Sequence, residues 1–308
     1  MRTQMMKGLF NYKTAYVKYT SACLADFAKD NIQYAEIRPN FMTTNQVWED
    51  DGLTKLNNED IMNLIISGYE EFQEVHEGKI LKGLKVIYCT PRSFGKPLVA
   101  AALKECLEFK KKFPKFIAGK NHVLALLWNE DTDDCAVGFD LVGEEGNEKP
   151  HPLEYFAEEF LKFQADCRAV GEDIPFLFHC GETQENGTAT DKNLFDAVLL
   201  GAKRIGHGFA VPWHPWVMAQ MKAKDICVEL CPISNEILGL TPRIGGHSAY
   251  TLLANNVPCT LSTDNGTLFR YVTLCCHSHG PIYAMSKDIT GLLLIIHPSW
   301  CIQVDSLP

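Results

Sequence analysis

Residues 175–182 read PFLFHCGE, 204–209 RIGHGF, 226–232 ICVELCP and 258–265 PCTLSTDN. Each is a short apolar run that ends in a polar or turn-forming group: His179 and Glu182, His207, Pro232, Asp264. Apolar runs of this length, bounded by Gly, Pro or Asn, read as strands rather than helices. Between the first two, residues 191–200 carry apolar side chains three and four apart, the spacing of one helix face. Strand and helix taking turns implies parallel strands joined by helical crossovers.

The same rhythm continues toward the amino end. QYAEIRP (33–39), GLKVIYCTP (83–91), KFIAG (115–119) and GFDLVG (138–143) read as strands, and 58–76, 96–113 and 152–170 as helices. Polar residues gather at the carboxyl ends of the strands: Glu36 and Arg38, Glu144 and Glu145, His179 and Glu182, His207, Asn235, Asp264. Burying one charge is costly, whereas lining one mouth with many is how a (β/α)8 barrel builds its site. A Rossmann-type sheet is the rival, but no GxGxxG follows a strand. The expected fold is therefore α/β, a TIM-type barrel over residues 1–270. Two stretches break the rhythm: 120–137, KNHVLALLWNEDTDDCAV, expected to be an insertion, and 271–308, an atypical carboxyl-terminal tail.

The apolar fraction of 46% is ample for a buried core. The formal net charge is −9 with no basic run, which argues against a nucleic-acid partner, since phosphate binding needs clustered Lys and Arg. Twelve cysteines occur without a CxxC pair, and several lie in apolar runs; reduced, buried thiols are expected. The run GLLLIIHPSW (291–300) is too short to span a bilayer, and the first residues show no apolar core of a signal peptide. No membrane partner is expected.

The chemistry concentrates in four motifs. In His179-Cys180-Gly181-Glu182 a strand-end imidazole can bind zinc and the neighbouring carboxylate can move protons. His207 sits between two glycines, a setting for backbone that passes close under a ligand. Asp264 offers a hard oxygen ligand, or a group that orients an attacking water. Glu229-Leu230-Cys231-Pro232-Ile233-Ser234-Asn235 reads as scaffold supporting the site. Taken singly, HCGE, GHG and Asp-Asn-Gly are also ordinary turn sequences. The remaining histidines, His76, His122, His151, His214, His247 and His297, read as surface or turn residues, and Trp213 and Trp216 as a cover over the barrel.

FDLVGEE, HCGET, RIGHGF, CPISN and STDN, in that order, resemble strands four to eight of the adenosine deaminase barrel. With YAEIRP, TDxNLxDAxLLGxKRIGHGFA and CPISNEIL, the sequence looks most like the adenosine deaminase growth factor subfamily, whose members are often secreted. The resemblance implies hydrolytic deamination of adenosine, or a close analogue, to inosine and ammonia. It implies Zn2+ held by His179 and Asp264, with Glu182 shuttling a proton at the purine N1. His207 would orient the attacking hydroxide, and Gly143 and Asn265 would contact a small-molecule nucleoside.

Three departures qualify this expectation. No His-x-His pair stands near the start, where the family's first strand supplies two zinc ligands; the one such pair, His277 and His279, lies in the tail. Two ligands fall short of the usual three, so impaired activity is expected; with the first strand missing and the last helices replaced, the barrel is expected to be incomplete. Asn265 stands where better-known members carry Asp. The alternative is a catalytically inactive barrel that binds nucleoside or a protein partner. An aminohydrolase acting on adenine or AMP is a third reading, but no basic phosphate pocket is visible.

Overall fold

The computed structural model describes residues 10–29, 32, 34–39, 41, 46–115, 138–143, 145, 151–262 and 264. The expected insertion 120–137, the tail 271–308 with His277 and His279, Glu144, Asn265 and most of KFIAG lie outside them.

Eight short strands run in chain order: β1 (Tyr34–Ile37), β2 (Gly83–Val86), β3 (Tyr88–Pro91), β4 (Phe139–Val142), β5 (His179–Cys180), β6 (Arg204–His207), β7 (Cys227–Leu230) and β8 (Cys259–Leu261). All ladders are parallel: β1 with β2, β3 with β4, and β5 through β8 in order. β2 and β3 are one extended run broken at Ile87. There the chain leaves β1, with Ile87 N–H donating to Ile37 O at 2.8 Å, and turns to β4, with Tyr88 N–H donating to Gly138 O at 3.1 Å. Leu177 N–H donates to Phe139 O at 3.0 Å and carries the pairing from β4 to the start of β5. The result is one curved sheet from β1 to β8; among the described residues no ladder joins β8 to β1.

The helices lie between strands in sequence: α1 (Lys13–Lys29), α2 (Asn58–Val75), α3 (Lys96–Lys112), α4 (Ala157–Ala169), α5 (Asn193–Leu199), α6 (Pro215–Lys224), α7 (Pro232–Ile237) and α8 (Ala249–Ala254). Their starts follow local chemistry. Asn57 caps α2 in a reciprocal box with Asp60, and Pro opens α3, α6 and α7, where a missing N–H costs nothing. Outward-facing strand residues pack against them. Phe160 of α4 lies 5.2 and 4.8 Å, ring to ring, from Phe176 and Phe178, all three nearly fully buried. Burying such a ring contributes about 1.5–3 kcal/mol. Strand alternation then sends the intervening residues, Asp140 and His179 among them, into the barrel interior.

Among the described residues the cysteines are free thiols, and no helix is long and apolar enough to cross a membrane. Trp213 and Trp216 are 41% and 47% exposed, and Trp216 stacks on Phe195.

Candidate active site

A connected series of buried charges climbs the barrel interior. Tyr34 donates its hydroxyl to Glu36 (3.1 Å), and Glu36 pairs with Arg204 (2.5 Å) at the amino end of β6. Arg204 also pairs with Glu229 (3.1 Å), Glu229 with Arg38 (2.9 Å), and Arg38 with Asp140 (2.7 Å). Asp140 reaches His179 twice: one oxygen accepts the His179 backbone N–H at 3.0 Å, and the other lies 2.8 Å from Nδ1. Glu36 therefore serves the lower layer of the barrel; it does not line the mouth as its place in the sequence suggests.

Burial alone would raise the Asp140 pKa, but the charges of His179 and Arg38 and the His179 hydrogen bonds outweigh it and hold the carboxyl at about 2. A carboxylate 2.8 Å from a ring nitrogen keeps a proton there, so Nδ1 of His179 is an N–H and Nε2 is the nitrogen left to meet a metal. This is the arrangement by which a carboxylate orients a metal-binding imidazole. Gly206 makes room for that ring: a Cβ there would stand 3.1 Å from His179 Nδ1.

At the carboxyl ends of β5 to β8 the expected residues converge. The ring centroids of His179 and His207 are 5.0 Å apart, and His207 Nδ1 lies 3.2 Å from Glu182 Oε1. Strict alternation would turn His207 outward beside its register partner Cys180; a left-handed backbone, φ 62°, swings it to the site. Donor atoms of His207, Cys231 and Asp264 all lie within 4.8 Å of one another. Burial pushes the Asp264 carboxyl up to about 7, offset in part by a Ser234 hydrogen bond and the Arg38 charge. Burial, and next the His179 charge, hold the His207 ring well below its ordinary pKa, so it is neutral.

Glu182 is placed from below. Its backbone N–H donates to Glu145 Oε2 (3.0 Å), and Glu145 is held by Arg92 (3.0 Å) and by the Asn193 side chain (3.2 Å). Arg92 also donates to the backbone carbonyl of His179. Gly143 ends β4, exposed, at φ 115°, a conformation that side chains rarely adopt.

The donor set suits zinc. Imidazole, thiol and carboxylate are its usual ligands. In the interior series three carboxylates (Glu36, Asp140, Glu229) face two guanidiniums (Arg38, Arg204), an excess of negative charge that favours a cation.

Sequence reasoning missed three residues. Asp140 sits within an apolar run, and its partner His179 is 39 positions away. Cys231 reads as scaffold, yet stands among the donor atoms. His247, read as a surface residue, is 3% exposed and bonded to Asn235; its GGHSA setting looks like a turn, and only the fold of α7 over it removes it from water.

Comparison with known proteins decides the family: the adenosine deaminase family profile matches residues 4–275. The chain belongs to the adenosine deaminase family. Adenosine deaminase 2 of Sus scrofa is 34% identical over 268 residues, which cover 86% of this chain and 46% of that protein. The growth factor subfamily resemblance is thereby borne out. The chain spans about half the length of the curated relatives it matches. The Arabidopsis ADAL structure complexed with IMP superposes with a TM-score of 0.61 at 20% identity, covering 89% of this chain and 66% of that one. A Burkholderia ambifaria amidohydrolase with bound Zn superposes at 0.57 and 17% identity, covering 85% and 60%. These neighbours share the fold, the TIM-type barrel of metal-dependent adenosine deaminase-like amidohydrolases.

Proposed function

We propose that this chain catalyses hydrolytic deamination of adenosine, or a close 6-aminopurine nucleoside, to the 6-oxo product and ammonia. The observation that carries the reading is the meeting of His207 with His179, with Glu182 and with Asp264 at one end of the sheet. His179, through Nε2, and Asp264 would hold zinc, with Cys231 beside them. Zinc, when bound, supplies a water of lowered pKa as the nucleophile. Glu182, held by its backbone to Glu145, delivers a proton to the purine N1. His207, neutral and buried, orients the attacking oxygen. Gly143, at the end of β4, would contact the base, as would Asn265. A second reading, a barrel that binds nucleoside without turnover, is favoured by one observation: among the described residues the donor atoms grouped within 4.8 Å of one another are those of His207, Cys231 and Asp264, and His179 is not among them.

The test is conversion of adenosine to inosine followed in the ultraviolet, alongside zinc content. Turnover by the wild type, abolished in Glu182→Gln at equal zinc content, supports the proposal. Nucleoside binding without turnover at full zinc occupancy favours the second reading.

A further inference from the structure

His207 is held by two residues outside the zinc and proton-transfer set, and their hydrogen bonds have a direction. The series starts at the Ala249 backbone N–H, which can only donate; its acceptor is His247 Nδ1 at 3.0 Å. Nδ1 of His247 therefore carries a lone pair, and its ring proton lies on Nε2. That Nε2 is 2.8 Å from Asn235 Oδ1, which accepts it. The Asn235 amide cannot be turned over, because its NH2 would then face the N–H of His247. So Nδ2 of Asn235 points at His207 Nδ1, 3.2 Å away, as a donor. His207 must offer a lone pair there, and its own proton lies on Nε2.

The elements that carry this series leave little freedom. Asn235 is fully buried within α7, its backbone N–H bonded to Cys231 O at 2.9 Å. Its carbonyl accepts Leu240 N–H at 2.8 Å. His247 follows the 3-10 turn Ile244–Gly246, with its ring against the edge of Phe209 at 5.3 Å. A buried donor or acceptor left unmatched costs about 1–3 kcal/mol, enough to fix the pattern at each joint.

We propose that Asn235 and His247 are positioning residues that lock His207 as the Nε2–H tautomer, so that this ring presents an N–H to the attacking oxygen. The proposal rests on the deaminase reading and deepens it. Glu182 Oε1 also lies 3.2 Å from that Nδ1, and a proton on Nδ1 donated to this carboxylate is the rival tautomer that the test distinguishes.

The tautomer is read directly from long-range 15N–1H spectra of the full chain labelled at histidine, with the His207 signals assigned by their loss in His207→Gln. The wild type shows the Nε2–H pattern. In Asn235→Asp a carboxylate replaces the donor and moves the ring proton to Nδ1, whereas His247→Gln, whose amide still donates to Asn235, leaves the pattern intact. An Nδ1–H pattern in the wild type, or no change in a folded Asn235→Asp, overturns the proposal. In the adenosine assay Asn235→Asp lowers kcat about 10–100-fold, the range for residues that orient a working group, with KM within about twofold. A fall in binding alone overturns the positioning role. An inactive wild type that still shows the Nε2–H pattern supports the lock and counts against the deaminase reading only.

Discussion

Replacing Arg38 with Met tests whether the interior charge series holds the barrel together. The Arg38 side chain is 0% exposed and lies 2.7 Å from Asp140 and 2.9 Å from Glu229, themselves 0% and 2% exposed. Met fills most of the volume, so the loss is electrostatic. Removing one partner of a buried pair leaves an uncompensated charge and costs about 3–5 kcal/mol. The Asp140 pKa gives a cross-check: a carboxyl held at about 2 instead of 3.8 is worth about 2.5 kcal/mol, shared between Arg38 and His179. With a urea slope of about 3 kcal/mol per molar, the unfolding midpoint falls by about 1–1.7 M. Tryptophan fluorescence in urea at pH 7 measures it, with Lys162→Met as control, since the exposed Lys162–Asp166 pair should leave the midpoint in place.

The pH dependence has a definite sign. In the wild type the depressed Asp140 pKa stabilises the fold above about pH 4, and this is lost as pH falls toward 2. Without the guanidinium, Asp140 takes up a proton more readily, so the gap between variant and wild type narrows on acidification. A midpoint within about 0.3 M of wild type at pH 7, or a gap that widens in acid, refutes the reasoning.

Zinc added to the metal-depleted chain raises Tm by binding the folded state, and Asp264→Asn removes most of the rise. Because burial holds Asp264 at about 7, the rise in the wild type grows as pH passes through neutrality and the carboxyl gives up its proton. A rise untouched by the substitution removes Asp264 from the metal site. Gly208→Ala places a methyl 2.6 Å from Val228 Cγ1 at a backbone φ of 55°. A cost of about 1–3 kcal/mol follows, and a scanning calorimeter that finds an unchanged Tm would show that the Val228 side chain yields freely.

The fold was legible because its signals are local. The spacing in 58–76, 96–113 and 152–170 corresponds to α2, α3 and α4 with its preceding turn. GFDLVG, RIGHGF and ICVELCP contain β4, β6 and β7. His179, Glu182 and His207 were legible because each stands in a motif at a strand end. Asp140 and His247 were not, since their meaning lies in partners 39 and 12 positions away. Cys231 was hidden for another reason: a cysteine in an apolar run is more often simple packing, and only the bend of β7 into α7 puts its sulfur next to His207 and Asp264.

The charge series also determines when the protein can exist at all. Arg38 and Glu229 are 191 positions apart, Glu36 and Arg204 are 168 apart, and both pairs join the β1–β4 half to the β5–β8 half. Cut between β4 and β5, each half would have to place unneutralised ions in oil or keep that surface wet. A nascent chain thus gains little from early collapse and must wait for β7 to emerge before the centre can dry, a late and slow step of the kind long-range contacts impose. Separately expressed halves, by the same logic, should find each other.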